Sequence, residues 1–485
     1  MASVLTHPLA EGTRLRANCL NFWEVLAQAI ALISPTMTAA LIVPAMYGNA
    51  GNGSWLAYAF GTVMLLFVAL NLNEFARRST TAGSMFAYVT RGLGPTSGGL
   101  TGWCLIWAYL FIGIAGLTGF TNFTNVLLGM LPGGHVQMPP LLLFAICAGV
   151  SWWLAYRDIQ LSTILMLVLE VISVVFILAL SFLVLFHHGI PIDKDQLTLK
   201  GASFSNMGFG VVVAIFSLVG FECATAFGQE AKEPLKTIPK AVLWSLMLTG
   251  VFFVFVTYME VYGARGSKTT LDQLSAPLNT LSAMMHVKWL SIPISLGAMT
   301  SFFSLNLSCL NACARVLYPM GRHGVFHASV GQSHAKNETP HIAVTWVAAL
   351  MLIIGSGLYL WHNVVTDIFN YAGTFGAFGF LFAYFFISAA APMYLKKIGE
   401  LTPKHIALSV TAIVLLLVPA VGCVYTNPPL APPVKYFPYV FLGYFALGLA
   451  WLLFLRRRAP EVSDGITHDL ETMGSPRMAA EGALS

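Results

Sequence analysis

Apolar runs, each about long enough to cross a bilayer, follow one another along nearly the whole chain. A helix needs about 20 apolar residues to span the bilayer hydrocarbon, and only 9% of the 485 residues are charged. The run from Ile164 to Phe186 lacks the alternation that membrane barrel strands require, so we predict an all-α polytopic membrane protein. The twelve predicted transmembrane helices cover residues 22–47, 55–76, 96–128, 139–156, 159–186, 206–230, 239–263, 289–319, 341–360, 364–393, 405–425 and 436–455.

Basic residues between these segments indicate how the chain crosses the membrane, because cytoplasmic loops collect Lys and Arg. An N-terminus on the inside places most of the 25 basic residues on the cytoplasmic side. It predicts a multi-pass protein of the cell membrane with both termini cytoplasmic. The net charge of +5 then reflects topology and contact with anionic lipid, and no nucleic-acid partner is predicted. The seven cysteines lack paired metal-ligand spacing, so neither a metal nor a cofactor is predicted.

The first predicted span is interrupted at Ser34-Pro35. Proline removes the hydrogen bond to the Ala31 carbonyl and its ring pushes against that carbonyl, so we expect the helix to break near the middle of the bilayer. Ser34 is a favourable N-cap and Pro35 suits the first position of a new helix. The new half-helix is predicted to leave three amides free as a small anion site, those of Thr36, Met37 and Thr38.

The sixth predicted span is interrupted at Gly220, where glycine lets the backbone leave helical geometry. Unwinding there would free the carbonyls of Phe216, Ser217 and Val219, which can receive an ammonium group. Unpaired backbone groups at this depth are tolerated only around a protein-lined cavity. Because the breaks fall in spans 1 and 6, they correspond in a five-helix repeat whose second copy is inverted. That arrangement is typical of secondary transporters.

Three segments carry recognisable motifs. The first runs from Glu74 to Tyr88 and on to Gly102-Trp103, the second from Gly220-Phe221-Glu222 through Gln229-Glu230 to Ala241, and the third from Ala314 through Phe326 to Thr339-Pro340. Together they resemble the amino acid, polyamine and organocation (APC) permeases. The resemblance implies a LeuT-type fold, with a ten-helix core and two peripheral helices. It also implies that helix 1 holds the substrate carboxylate while carbonyls of helix 6 receive the amine.

The repeat and the resemblance predict the division of the chain. We expect a cytoplasmic N-terminal segment (1–21), a first five-helix repeat (22–190), a second repeat (191–395), helices 11 and 12 (396–458) and a disordered cytoplasmic tail (459–485). The chain departs from the family pattern at two places. Many relatives have a glycine-rich tripeptide at the position of Ser34-Pro35-Thr36, and several have a lysine in helix 5 where an ungapped comparison places Glu170.

Buried carboxylates are costly in a membrane, which makes each one a candidate functional group. Glu222 is predicted to couple transport to protons or to act in gating, and an acidic residue at this position is linked to coupling in some family members. The alternative is a permanently hydrogen-bonded structural carboxyl. Glu170 could bind a proton, a cation or the amine end of a substrate, or be a neutral carboxyl bonded to a nearby Ser or Thr. Phe216 resembles the aromatic gate of some relatives, with core packing as the alternative.

Other polar residues have simpler interpretations. Glu74 is predicted to pair with Arg77 or Arg78, which follow at helical spacing. Glu24 and Glu260 lie near span ends, where snorkelling or pairing suffices. Three side chains of span 8 could bind sodium or bond one another: Ser304, Asn306 and Ser308.

The sequence therefore predicts a secondary active transporter for a small amino acid, working by alternating access, rather than an enzyme. It has neither a phosphate-binding Gly-rich loop nor a His pair at metal spacing. Protons are the first choice of coupling ion, through Glu222 or Glu170, and sodium is the alternative. A polyamine or organic amine antiporter, or a sensor that binds without transporting, are the alternative functions. The predicted substrate-binding residues are Ile33, Ser34, Thr36, Met37, Thr38, Phe216, Ser217 and Val219.

Overall fold

The secondary structure is helical throughout the part of the chain that the computed structural model describes. Among those residues the β-type pairing is limited to a single bridge between Leu20 and Ala231. The predicted tail 459–485 and most of the predicted N-terminal segment lie outside the described residues. The described ranges are 17–79, 84–131, 137–157, 159–189, 192–274, 276–425 and 432–458.

Seventeen α-helices make up most of these ranges, with short 3-10 turns between some of them. Two segments beside the predicted interruptions have other helical geometries: a π-helix at Thr38–Ile42 and a 3-10 helix at Phe221–Phe227. The α-helices are α1 (Phe22–Ile33), α2 (Pro35–Met37), α3 (Val43–Ala50), α4 (Ser54–Ala76), α5 (Ser84–Leu93), α6 (Pro95–Met130), α7 (Pro140–Arg157), α8 (Ile159–His188), α9 (Lys194–Leu197), α10 (Phe204–Leu218), α11 (Pro234–Gly263), α12 (Pro277–Met284), α13 (Ser291–Arg322), α14 (His341–Leu360), α15 (Val365–Lys397), α16 (Pro403–Gly422) and α17 (Phe437–Arg458).

Eleven segments of the described chain are long and apolar enough to cross a membrane. The first, Phe22–Ala76, has 55 residues, more than twice the length of about 20 that a single crossing needs. It contains the first two predicted spans, and the 3-10 turn Gly51–Gly53 lies between them. The other segments overlap the remaining predicted spans. Every predicted span therefore coincides with helical structure.

The helices form an inner and an outer layer. In Pro95–Met130 and Asn206–Phe227, 78% and 83% of the most apolar stretch is buried inside the protein, whereas the figures for Pro403–Gly422 and Val434–Arg458 are 28% and 22%. Helices α6 and α10 are thus central, and α16 and α17 turn most of their apolar surface outward. An outward apolar surface suits a helix that faces lipid chains.

Glycines let α6 pack closely against α13. A Cβ on Gly119 would lie 2.1 Å from Phe302 Cδ1, and one on Gly116 would lie 2.9 Å from the Asn306 amide nitrogen. Small residues at such positions allow helix backbones to approach in a membrane. Asn306 uses this proximity, since its side-chain amide donates to the Gly113 carbonyl at 3.0 Å. The glycines of span 3 therefore have a packing role.

Candidate functional site

The first transmembrane helix breaks at Ser34, as the Ser34-Pro35 pair predicts. Helix α1 ends at Ile33, Ser34 takes a left-handed conformation (φ 50°, ψ 72°), and α2 begins at Pro35. The Ser34 side chain does not cap α2. Its hydroxyl lies 2.8 Å from the Ser301 hydroxyl instead, because the left-handed backbone differs from the extended conformation that side-chain capping uses. The N-cap interpretation of this side chain is therefore wrong.

The amides after the break are not all free. Glu170 Oε1 accepts hydrogen bonds from both the Thr36 amide and the Thr36 hydroxyl, each at 3.1 Å. Ser301 donates to Glu170 Oε2 at 2.5 Å, and the Thr38 amide donates to the Ser34 carbonyl at 3.3 Å. The prediction of three free amides is corrected for Thr36 and Thr38. A carboxylate from α8 occupies the anion position, and an N-cap carbonyl accepts the first bond of its own helix.

The second break lies at Val219 and Gly220. Helix α10 ends at Leu218, Val219 is extended (ψ 145°), and Gly220 has a φ of 118° before the 3-10 helix begins. The Gly220 amide donates to Glu222 Oε2 at 3.0 Å. It therefore does not make the regular α-helical hydrogen bond to the Phe216 carbonyl. That carbonyl therefore loses its helical partner.

The two breaks are in contact. A Cβ added to Gly220 would lie 2.5 Å from Leu32 Cδ2 and 2.9 Å from the Ile33 amide nitrogen. Glycine is required here both by the positive φ and by this approach. The unwound main chains of the two helices therefore face one shared interior region.

The predicted binding residues are all buried around this region, with at most 5% of any of them exposed. The hydroxyl oxygens of Ser217 and Tyr58 lie 2.8 Å apart and share a hydrogen bond. Phe216 packs against Gly373, where a Cβ would lie 2.1 Å from its ring, and its ring centroid is 5.6 Å from that of Phe369. The Thr38 hydroxyl has no hydrogen-bond partner among the described residues. The other members, Ile33, Met37 and Val219, are apolar residues that are at most 1% exposed.

Glu222 is fully buried and receives three hydrogen bonds. Tyr109 of α6 donates to Oε1 at 3.1 Å and Tyr384 of α15 donates to Oε2 at 2.8 Å, in addition to the Gly220 amide. Sequence reasoning missed both tyrosines. The available signal was a tyrosine within an apolar span, whose hydroxyl needs a partner when buried. Glu222 thus ties two neighbouring helices to the second break.

A buried ion pair lies after the second break. Arg315 contacts Glu230 through Nε at 2.6 Å and Nη2 at 2.8 Å, with each side chain 1% exposed. The guanidinium also lies over the Phe227 ring at 4.8 Å. The Glu230 carbonyl accepts hydrogen bonds from the amides of Cys19 and Leu20, both at 2.9 Å. We call this group the Glu230–Arg315 cluster; it joins the chain before α1 to the chain after the second break.

The Glu230–Arg315 cluster precedes α11 in the chain, and a second polar network lies just after the C-terminal end of this helix. Arg265 contacts Asp193 at 2.9 Å and donates to the Asn52 side chain at 2.8 Å, and Gln196 donates to Asp193 at 3.0 Å. Burial alone would raise the pKa of Asp193, but the bonds from Gln196 and Arg265 outweigh it and hold the pKa below its ordinary value. Buried or half-buried ion pairs therefore join neighbouring segments at both ends of α11.

The remaining polar predictions have mixed outcomes. Glu74 pairs with Arg78 at 2.7 Å, as predicted, and Glu24 forms a capping box with Asn21. The three side chains of span 8 each donate to a different main-chain carbonyl. Ser304 donates to the Thr300 carbonyl, and Ser308 donates to the Gln28 carbonyl of α1 at 3.0 Å.

Glu260 is buried although it lies near the C-terminal end of α11. It is 2% exposed, and neither carboxyl oxygen has a hydrogen-bond partner among the described residues. Neighbouring Gly263 packs against Leu281 and Val184, so the end of α11 is covered and the side chain does not reach its surface. The snorkelling interpretation is therefore wrong for Glu260.

This burial leads to a prediction on stability. Glu260→Met is expected to raise the free energy of unfolding by about 1–3 kcal/mol, because it removes an unpaired polar group from an apolar environment. The measurement is thermal unfolding of the detergent-purified protein. Glu24→Met is the matched control and should lower stability by about 1 kcal/mol, because it removes the capping box. A lower melting temperature for Glu260→Met would show that its carboxyl has a stabilising partner.

The bundle and its broken helices together define a class of protein. It is a multi-pass helical membrane protein in which the residues at both helix breaks are buried inside the protein. The family model described as amino acid permease matches residues 24–453. The chain belongs to the amino acid permease family, within the APC superfamily.

Three relatives illustrate the range of the similarity. The low-affinity putrescine importer PlaP of Escherichia coli K12 is 25% identical over 61% of this chain, and the match spans 66% of the importer, just under two thirds. The branched-chain amino acid permease BcaP of Bacillus subtilis is 23% identical over 64% of this chain and 68% of the permease. Cationic amino acid transporter 4 of mouse is 24% identical over 63% of this chain and 50% of the transporter.

Proposed function

We propose that this protein is a secondary active transporter that carries a small amino acid across the cell membrane by alternating access. The observation that carries the proposal is the contact between the two helix breaks, which brings unwound main chain from α1 and α10 to one buried place. Paired discontinuous helices at the bilayer midplane are the binding architecture of many secondary transporters. The relatives named as amino acid permeases support the same class of substrate.

The proposed architecture has twelve crossings in a LeuT-type inverted repeat. Residues 22–190 and 191–395 form the two five-helix copies, and helices α16 and α17 are peripheral, in keeping with their exposed apolar surfaces. Both termini are cytoplasmic. In this orientation the Glu230–Arg315 cluster lies at the cytoplasmic end and the Arg265 network at the outer end.

The substrate ammonium is proposed to bind the carbonyls of Ile33, Phe216, Ser217 and Val219. The carboxylate would bind at the start of α2, where the positive end of a half-helix favours an anion. Phe216 would cover the substrate as a gate, supported by its position between the second break and Gly373. The Thr38 hydroxyl, which lacks a partner among the described residues, is available as a further substrate contact.

A second candidate is the transport of an organic amine such as a polyamine. One structural observation favours it: the Glu170 carboxylate occupies the donors that a substrate carboxylate would use. An amine without a carboxylate would not need them, and one relative is named as a putrescine importer. Competition between putrescine and zwitterionic amino acids for the purified protein separates the two candidates.

Coupling to protons is proposed to run through Glu222 or Glu170. In proteoliposomes with an imposed pH gradient, Glu222→Gln is expected to lower gradient-driven uptake about tenfold or more. The reason is that a glutamine cannot take up or release the coupled proton, and it also loses charge-assisted hydrogen bonds of about 1.5–3 kcal/mol, where every 1.4 kcal/mol is tenfold. Glu170→Gln is measured in parallel. Full proton-driven uptake by both variants would remove proton coupling through these carboxyls and leave sodium as the ion to test.

Counterflow tests the transport function itself. Labelled substrate should accumulate in proteoliposomes preloaded with the unlabelled compound, without any ion gradient, because alternating access exchanges substrate between the two faces. The Glu222→Gln variant should keep this exchange if its defect lies in coupling. A sensor would bind the substrate and give no counterflow.

A further inference from the structure

We propose that the Glu170 carboxylate and the carboxylate of an amino acid substrate compete for the same hydrogen-bond donors at the start of α2, and that a proton taken up by Glu170 transfers those donors to the substrate. This inference rests on the proposed function. It names the step by which the proton and the substrate become linked, and it makes Glu170 a residue that determines substrate class.

The donors that reach Glu170 are few and fully used. The Thr36 amide and hydroxyl each donate to Glu170 Oε1, and the Ser301 hydroxyl donates to Oε2. Each of these groups carries one hydrogen. With the Ser301 hydrogen on Glu170, the neighbouring Ser34 hydroxyl must donate to Ser301. No spare donor remains in this set for a second carboxylate.

No cation is paired with Glu170 among the described residues. Its partners on α2 and α13 are an amide and two hydroxyls, and the side chain is 2% exposed. No titratable or charged group of α1, α7, α11 or α12 interacts with it in the described chain. The buried carboxyl of α11, Glu260, interacts with Tyr58 instead. A proton is therefore the simplest neutralising partner for Glu170.

Two carboxylates that share one site cannot both be ionised without a large penalty. Entry of a zwitterion therefore favours proton uptake by Glu170. The neutral carboxyl gains an O–H donor and becomes a weaker acceptor, which releases the Thr36 groups to the substrate carboxylate. The proton comes from the aqueous side with the substrate, so one proton accompanies each zwitterion and the loaded site carries one more positive charge than the empty one.

A substrate without a carboxylate follows the opposite rule. An amine does not compete for the Thr36 donors, and the ionised Glu170 attracts its positive charge. The protonation state of one side chain thus selects between a zwitterion and an amine that share the same hydrocarbon part. Acid conditions favour the zwitterion, and alkaline conditions favour the amine.

The test uses pairs of compounds that differ only in the carboxylate. Binding of leucine and 3-methylbutylamine, and of ornithine and putrescine, is measured by competition on the purified protein between pH 5 and pH 8. For the wild type we expect amino acid affinity to fall as pH rises, approaching about tenfold per pH unit once Glu170 is mostly ionised, because one proton is bound with the ligand. The affinity of the amine should rise or stay constant.

Glu170→Gln should resemble the protonated form permanently. We expect the amino acid to bind with no comparable pH dependence and more tightly than to the wild type at pH 8, while the amine binds more weakly. Glu260→Gln is the matched control, because Glu260 is a buried carboxyl outside the proposed binding and coupling residues, and it should keep the pH dependence of the wild type. An unchanged pH dependence in Glu170→Gln, or weaker amino acid binding at pH 8, would overturn the competition alone. Failure of all four compounds to bind the wild type would overturn the proposed substrate class, and the competition with it.

Discussion

Replacing Arg315 by methionine is expected to lower the free energy of unfolding by about 3–5 kcal/mol, because it leaves a buried carboxylate without its partner. Glu230 and Arg315 are each 1% exposed and make a bidentate contact at 2.6 and 2.8 Å. The Glu230 main chain also bonds the residues before α1, so the loss should loosen the contact between the chain before α1 and the chain after the second break. The measurement is thermal or SDS-induced unfolding of the purified protein.

Two controls distinguish an unpaired charge from general damage. Arg78→Met removes a pair whose side chains are 28% and 14% exposed, and it should cost at most about 1 kcal/mol, as surface ion pairs usually do. The double variant Glu230→Gln with Arg315→Met removes both charges. It should recover a large part of the lost stability, since replacing a whole buried pair is often close to neutral. If the double variant is as unstable as Arg315→Met, the stability was contributed by the ion pair itself, and the unpaired Glu230 charge is not the cause of the loss.

Gly220→Ala is expected to abolish most substrate binding and transport while the protein still inserts and folds. The added Cβ would lie 2.5 Å from Leu32 Cδ2 and 2.9 Å from the Ile33 amide nitrogen, and the φ of 118° is unfavourable for any L side chain. Backbone strain of this kind costs about 1–3 kcal/mol, and the two breaks must move apart to relieve it. Since each 1.4 kcal/mol of lost binding free energy lowers affinity about tenfold, we expect ligand affinity to fall about tenfold to a hundredfold.

The matched control is Gly149→Ala. A Cβ at Gly149 meets nothing within 4 Å, and its φ is not in the positive range. This variant should bind and transport like the wild type. Binding is measured by ligand-induced thermal stabilisation, and surface expression and the elution profile establish folding. Normal affinity in Gly220→Ala would show that the contact between the two breaks does not form the binding site.

Local chemistry made part of this molecule predictable. Proline and glycine act on the backbone wherever they occur, so Pro35 and Gly220 indicated both helix breaks from sequence alone. The apolar spans were equally readable, because bilayer thickness fixes their length. The contact between the breaks was expected from the repeat, and it depends on how α1 and α10 cross.

The partners of the buried carboxyls could not be predicted. Glu170 reaches Thr36 and Ser301 across 134 and 131 residues of sequence, and no local pattern encodes such contacts. Tyr109 and Tyr384 likewise meet at Glu222 from two different helices. Position relative to a helix end was misleading for Glu260, because neighbouring helices cover that end. Burial inside a bundle depends on packing, which a single sequence does not display.

The bridge between Leu20 and Ala231 has a mechanical consequence. It connects the chain just before α1 to the chain just after the 3-10 helix, through main-chain bonds such as Lys232 N to the Leu20 carbonyl at 2.7 Å. We therefore expect a tilt of α1 to carry the segment after the second break with it. Since backbone atoms form the joint, most side-chain exchanges at Leu20 leave it intact, whereas a proline there would remove the bond from the Leu20 amide to the Glu230 carbonyl.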